Sequence, residues 1–456
     1  MTAEEERRTA GPLRTYEEAR DWIVGLVPFG IRPGLDRIRL LLESFGNPER
    51  RLKFIHVAGT NGKGSTCAYL TSVIRQCGYD VGTFTSPYIT KFTNRFQYNG
   101  EDIPEETLLA LANRLKPEVE RIAATELGSP TMFEVSTALA ILYYATEVYP
   151  DFVVWETGLG GRLDVTNVVT PIVSVITNVG HDHMDILGDT LEQVAAEKAG
   201  IIKPGVPVVS AVRQPEAVQV IRDAAAACKS TLYLLGEQFN EVPLSVKENQ
   251  QAFRFEGLFR SIEPLVISMS GAHQRENAAV AVMTLEVLRQ YYALIVEDDD
   301  LKAGLSAAHW PGRLEMVRRT PRTLLDGAHN PEGMETLARA LKETYTYGKL
   351  HVMMGMLANK NHRDTLRHIL PLVDTLIVTE PDYRKAMPAG ALADLVLECG
   401  VPVPKTIIVE PDWGKALALL EEVSEPDDLA VVTGTLYLIA DVRSRLLHDT
   451  ESEKGW

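Results

Sequence analysis

Cysteine is scarce in this chain of 456 residues: Cys67, Cys77, Cys228 and Cys399 make up the whole set, without a CxxC pair or metal-site spacing. That argues against a disulfide frame and a zinc site, and the four thiols are expected to be reduced, partly buried small side chains. Long apolar runs are missing too. None approaches the roughly 20 residues of a membrane span, and the opening MTAEEERRTAGPLR lacks the apolar core of a signal peptide. A cytoplasmic protein with no membrane partner is expected. Net positive charge is absent as well: the formal balance is -16, which argues against a nucleic-acid backbone as the main partner. Any anionic substrate must then be caught by a local basic patch, because the global field repels it. No repeat of fixed period is found.

What is present is an ordinary folded composition, 45% hydrophobic and 24% charged, at a length that suggests about two to four domains. Apolar β-rich runs alternate with amphipathic helical stretches: LKFIHVAG before a helix from about Ser65, then DFVVWET, PIVSVIT and VPVVSAV. Such alternation implies parallel sheet built from βαβ units. DFVVWETG is apolar on both faces, as a strand between two helix layers must be. From about Arg322 the alternation starts afresh as a second, smaller Rossmann-like unit. Pro311 and Gly312 in AAHWPGRLEMV interrupt the chain before it. The boundary is placed there, giving domains at 1–310 and 311–456, with a cleft between them as a favoured place for ligands. Leu244 to Leu265 alternates polar and apolar residues and reads as a small antiparallel excursion. The polar tail HDTESEKGW is expected to fray.

Four clusters could carry chemistry. FIHVAGTNGKGST follows a strand and opens a helix, so the backbone N–H groups of Gly59, Thr60, Asn61, Gly62, Lys63, Gly64 and Ser65 can face phosphate oxygens, with Lys63 on the outer phosphates. The usual phosphate loop has a Ser or Thr directly after the lysine to hold Mg²⁺; here Gly64 stands there and is read as letting backbone approach phosphate. In WETGLGGRLDVTN, Glu156 ends the buried strand, where parallel sheets present ligand-binding residues; it can bind a hard cation or cap a helix. In TNVGHDHMDILG, His181 and His183 alternate with Asp182 and Asp185, as in a metal site or a hydrogen-bonded loop. Lys198, on the following helix, reads by itself as a solvated lysine. LLDGAHNPEG sets Asp326, His329 and Asn330 just past a strand, with Pro331 suited to a helix first turn; Asp326 can meet a ribose or cation and His329 a phosphate.

Taken in order, HVAGTNGKGS, TSPYI, ETGLGGRLDVTN, GHDHMDILG, EKAGI, HQRENAAVA, WPGRLE, LDGAHNPEG and TGTLYLIADVR closely resemble the folylpolyglutamate synthases of the Mur ligase superfamily, from about Tyr16 to Arg443. The resemblance implies an α/β fold with a P-loop ATPase domain followed by a smaller Rossmann-like domain that closes over the cleft. It implies ATP and Mg²⁺ at two sites, with one ion held by Ser86, Glu156 and His183 and a second by a carbamylated Lys198. A carbamate would offer Mg²⁺ hard oxygen where an ammonium repels it. Asn277 resembles an adenine contact, and Arg313, Asp326 and His329 resemble nucleotide contacts. The implied reaction joins L-glutamate to the γ-carboxylate of a reduced folate in a monomeric enzyme. The implied catalytic residues are Lys63, Lys198, His183 and His329.

Three alternatives stay open at this level. The enzyme could also join glutamate to dihydropteroate, although TSPYI, against the SPHL common in bifunctional relatives, tilts toward a single activity. A cell-wall ligase is disfavoured by the short stretch before the ATPase motifs. A hydrolysing P-loop switch would use the loop alone. Asn94 before Arg95, and Asn359 and Asn361 around Lys360, depart from the family's usual acidic residues and bear on pterin or glutamate recognition.

Overall fold

The computed structural model describes residues 11–26, 34–448 and 452–453. An eight-stranded sheet organises the first part. Val81–Phe84, Phe152–Glu156, Phe54–Ala58, Pro171–Ile176, Val208–Ser210 and Leu232–Leu234 lie parallel in that spatial order. Phe96–Tyr98 and Glu101–Asp102 extend it antiparallel beyond Val81–Phe84. Phe54–Ala58, Phe152–Glu156 and Pro171–Ile176 are buried along their full length, because side chains alternate between two helix layers. Ile55 and Val57 pack with the helices Lys63–Gln76 and Ala272–Tyr292. Phe54 and Trp155 face the helices Asp36–Glu43, Glu105–Ala123 and Met132–Leu142.

The segment read as an antiparallel excursion is a three-stranded meander, Phe239–Lys247, Gln250–Gly257 and Ser261–Ile267. After the connecting residues around Pro311, a six-stranded sheet runs in the order Glu315–Arg319, Arg322–Leu325, Leu429–Thr433, Leu350–Met354, Thr375–Glu380, Thr406–Asp412. Its first pair is antiparallel and the rest parallel. The helix Pro331–Glu343 begins as the sequence implies. Pro331 occupies its first position, and the Asn330 side chain caps it by accepting from Gly333 N at 2.8 Å.

Of the tail expected to fray, His448, Ser452 and Glu453 fall within the described residues. Ser452 and Glu453 are anchored. The Glu453 carboxylate accepts from Tyr16 Oη at 2.8 Å and Phe92 N at 2.7 Å, and its own N–H donates to Thr90 O at 2.8 Å. The expectation overlooked that a carboxylate can reach back to open donors on the first half. All four cysteines are free. Among the described residues, no helix is long and apolar enough to cross a membrane.

Candidate active site

Strand Phe54–Ala58 sits between Phe152–Glu156 and Pro171–Ile176; the chain runs from Phe54–Ala58 toward Val81–Phe84 on one side and from Pro171–Ile176 toward Val208–Ser210 on the other. This topological switch point leaves a crevice outside the carboxyl ends of the strands. The loops after Ala58, Phe84, Glu156 and Ile176 all open there. The glycines of the first loop are dictated by neighbours. A Cβ on Gly59 would lie 1.8 Å from Thr177 Oγ1, one on Gly62 2.5 Å from Asn277 Oδ1, and one on Gly64 2.6 Å from the Trp310 indole. Gly64 thus has a packing reason that the sequence does not reveal: the tryptophan before the second sheet occupies its missing side chain. Asn61 N donates to Asn178 Oδ1 at 2.8 Å, and Lys63 Nζ donates to Gly59 O at 3.0 Å and Thr60 O at 3.3 Å. Ser65 is buried, its Oγ accepting from Gln274 Nε2 at 3.1 Å, and Gln274 in turn accepts from Asn277 Nδ2 at 3.2 Å.

Deeper in the crevice, Glu156 is buried and its Oε2 accepts from Ser86 N at 2.9 Å. Burial pushes its carboxyl up to about 7, although Lys63, the Ser86 N–H, Arg313 and Arg95 all favour the charged form. Lys198, read from sequence alone as solvated, is only 2% exposed. Burial lowers its amine to about 7, helped by the nearby charge of Lys63 and opposed by Asp182 and Asp164. One cleft of about 780 Å³ is lined by the phosphate loop together with Ser86, Glu156, His183, Lys198, Arg313 and His329. It continues into a second space of about 700 Å³ that adds Asn277 and Asp326, the two spaces sharing Asn61, Gly62, Ser65, Arg313 and His329. The loop Gly59 to Ser65, Ser86, Glu156, His183, Lys198, Asn277, Arg313, Asp326 and His329 therefore line one continuous interdomain cleft, while His181 and Asn330 are not among its lining residues.

The opposite wall comes from the second sheet. Asp326 is buried, and its two oxygens accept from Leu314 N at 2.9 Å and Ala328 N at 3.0 Å, which fixes the turn after strand Arg322–Leu325 to the connecting segment. His329 Nδ1 lies 2.9 Å from Gly327 O and Nε2 lies 3.4 Å from Asp182 Oδ2, so both ring nitrogens face oxygen. Asp182 also accepts from Lys360 Nζ at 2.8 Å and Asn330 Nδ2 at 3.3 Å. Burial acts to raise its carboxyl, but the hydrogen bond to His329 and the charges of His329, Lys360 and His183 hold it far below the usual carboxylate range. His181 turns to this wall, with N and Nδ1 2.9 and 3.2 Å from Glu332 Oε1. The side chain of Asp185 lies outside the described residues. Gln274, Trp310 and Glu332 are not singled out by sequence reasoning, and Lys360 enters it only as the residue between two asparagines. Their signal lies in contacts between segments far apart in the chain.

Among the described residues, no three His, Cys, Asp or Glu side chains gather into a ready-made cation cage. The donor set still suits Mg²⁺, which takes one or two carboxylates and completes its shell with substrate phosphates and water. A buried carboxylate at Glu156, a hydroxyl at Ser86 and the adjoining phosphate loop supply those parts, and a cation there would offset the burial that raises Glu156.

A phosphate loop at a switch point, facing a second parallel sheet across a cleft lined by a buried glutamate and a buried lysine, defines the class of the Mur ligases. Residues 57–285 match the Mur ligase middle domain and residues 312–436 the Mur ligase glutamate ligase domain. A dihydrofolate synthase/folylpolyglutamate synthase of Bacillus subtilis is 42% identical over 434 residues, covering 94% of this chain and 99% of its own. A solved folylpolyglutamate synthase of Thermotoga maritima superposes with a TM-score of 0.84 at 36% identity, covering 96% of this chain and 98% of its own. A Mycobacterium tuberculosis folylpolyglutamate synthase complexed with ADP gives 0.88 at 27% identity, covering 96% and 100%. The chain belongs to the folylpolyglutamate synthase/dihydrofolate synthase family of Mur ligases.

Proposed function

We propose that this enzyme uses ATP to join L-glutamate to the γ-carboxylate of tetrahydrofolate, building polyglutamates through an acyl phosphate. The single observation that carries this reading is the convergence of the phosphate loop, Glu156, Lys198, Arg313 and His329 on one interdomain cleft. A carboxylate is a poor electrophile, so the γ-phosphoryl of ATP passes first to the folate γ-carboxylate, leaving ADP. The glutamate amine then attacks the acyl carbon and phosphate departs.

Phosphoryl transfer depends on positioning and charge, and the residues divide accordingly. The loop Gly59 to Ser65 cradles the phosphates. Lys63, whose Nζ hangs on two loop carbonyls, neutralises the outer ones. Asn277 contacts the adenine, Arg313 and Asp326 hold the nucleotide from the connecting segment and second sheet, and His329 meets phosphate. Mg²⁺ at two sites would supply further neutralisation, held by Ser86, Glu156, His183 and a carbamylated Lys198. The lysine amine at about 7 has a large neutral fraction at neutral pH, which is the form that adds CO₂. The domain division near residue 310, a monomeric state and a cytoplasmic location complete the reading.

A second activity on dihydropteroate gains support from the double name of the Bacillus subtilis relative, against the tilt given by TSPYI. Purified protein with ATP and labelled glutamate, offered tetrahydrofolate or dihydropteroate, tests both. The ligase reading expects ADP and phosphate only when acceptor and glutamate are both present. Turnover of tetrahydrofolate alone supports the single activity, and turnover of both supports two. ATP hydrolysis indifferent to either substrate would instead make the loop that of a switch.

A further inference from the structure

Asp182 has no part in the chemistry just proposed, yet it gathers more of the second half of the molecule than its neighbours do. Its Oδ2 takes Asn330 Nδ2 at 3.3 Å and faces His329 Nε2 at 3.4 Å, while its Oδ1 takes Lys360 Nζ at 2.8 Å. The side chains of Asp182 and Lys360 are 15% and 11% exposed, so the pair is largely removed from solvent screening. The same Oδ1 also accepts the backbone N–H of His183 at 3.0 Å. His183 adopts φ +52°, a left-handed conformation uncommon outside glycine that needs a local hydrogen bond to hold it. One oxygen atom therefore serves two tasks: it receives the lysine of the second half, and it holds the turn that aims His183 into the cleft.

We propose that Asp182 and Lys360 form a closure latch, a pair of positioning residues that act through His183 and His329 and link docking of the second half to the arrangement of the cleft. Lys360 supplies charge to Asp182 only when the halves are together, and Asn330, which also reaches Asn61 Oδ1 of the phosphate loop at 3.3 Å, joins the same contact. With Lys360 absent, Asp182 keeps its place in the chain but loses its shortest contact across the cleft. The carboxylate that His329 Nε2 faces is then no longer held from the second half by the lysine.

The activity readout rests on the ligase reading, so the test includes a measurement that does not. Full-length wild type, Lys360→Met, Lys360→Arg, Asp182→Asn and the Lys360→Met/Asp182→Asn double variant are compared. Each is assayed for turnover, and each carries a dye pair with one dye on each half to report interdomain distance with and without ADP. Lys360→Met is expected to lower kcat about 10-fold, within the usual span of coupling between sites, with KM for glutamate changed less than about 2-fold. It is also expected to lengthen the ADP-bound dye distance. Lys360→Arg should stay within about 3-fold of wild type because it keeps the charge. The double variant should be no worse than the poorer single variant, since the two residues act as one contact. An unchanged kcat and dye distance in Lys360→Met overturns the latch. A raised KM for glutamate with kcat and distance unchanged also overturns it, making Lys360 a substrate contact. Should Asp182→Asn fail to fold, the two Lys360 variants decide. Should the wild type lack ligase activity, the dye distances test the latch while the proposed reaction fails by itself.

Discussion

The two walls of the cleft are built on different physical terms. On the first, glycines are locked by side chains that fill their missing Cβ space, Ser65 is tied to Gln274, and Glu156 and Lys198 are buried. On the second, the contacts are charges and hydrogen bonds. Asp182 meets Lys360 and His329, Glu332 meets His181, and within the second half, on the strand that follows the cleft-lining Arg313, Glu315 accepts from Gly312 N at 2.8 Å and from Arg443 Nε at 3.0 Å. Close packing is short-ranged and insensitive to acid or salt, whereas charged contacts can be remade over a longer reach. The first wall is thus preformed by packing, and the second is suited to docking against it.

The largest break in that comparison removes charge from the cradle without touching its packing. Lys63→Ala is expected to lower kcat by about 10²- to 10³-fold, the usual scale for one preorganised charge-stabilising donor. The melting temperature should be nearly unchanged, because among the described residues Lys63 Nζ bonds only to two loop carbonyls. Turnover and thermal unfolding of the same preparation check both halves of the statement. Ser86→Ala should reduce magnesium-dependent turnover more than Ser65→Ala does, since the Ser65 hydroxyl is engaged with Gln274. The reverse order would return the metal to the hydroxyl beside the loop lysine.

Acid should distinguish the walls next. Burial alone would raise Glu315, but hydrogen bonds to His309 and Arg443, the Arg443 charge and the Gly312 N–H bring it down from 4.5 to about 2. A depressed carboxylate contributes stability that is present above its unfolded value, and that stability is lost as pH falls through the folded one. The shift amounts to about 3 kcal/mol, lost between about pH 5 and pH 2. Urea unfolding across that window should show wild type losing an advantage over Glu315→Gln that it holds at neutral pH. Equal slopes with pH for the two proteins would mean that the second wall is held by packing after all.

A smaller effect probes the first wall. Gly64→Ala drives a Cβ to 2.6 Å from the Trp310 ring and is expected to destabilise by about 1–3 kcal/mol, as overpacking does. Trp310→Leu should relieve part of that loss in the double variant, a non-additivity expected only of residues in contact. Strict additivity would remove Trp310 as the reason for the glycine.

Much of this cleft was legible in the sequence because its residues sit at element ends that local rules identify. Asn330 and Pro331 announce a helix start, the run from Phe152 to Glu156 announces a strand buried on both faces, and three glycines around Lys63 announce a strand-to-helix turn. The burial of Lys198 was not legible, since one lysine near the end of a short helix looks solvated until the loops of two other strands cover it. The Trp310 contact with Gly64 and the Lys360 contact with Asp182 were hidden for the same reason. Each joins residues more than 170 positions apart, and neither leaves a period or spacing in the local chain. The anchored Glu453 shows the converse, a polar tail whose composition says solvent while its carboxylate finds buried donors.

The weakest expected effect sharpens the comparison most. Arg322, on the second sheet, pairs with Glu248 in the three-stranded meander, neither of them a cleft-lining residue, with side chains 21% and 35% exposed. Such a pair contributes at most about 1 kcal/mol and weakens with salt. Glu248→Gln is therefore expected to lower urea stability slightly at low salt, to be indistinguishable from wild type at high salt, and to leave kcat unchanged. This contact bridges the same two halves as Lys360 and Asp182 but lacks the link to His183. If its loss slowed turnover as much as Lys360→Met, closure would depend on total adhesion between the halves and the charged wall would have no privileged contact. If it leaves turnover alone, the site-facing charges are what couple docking to chemistry.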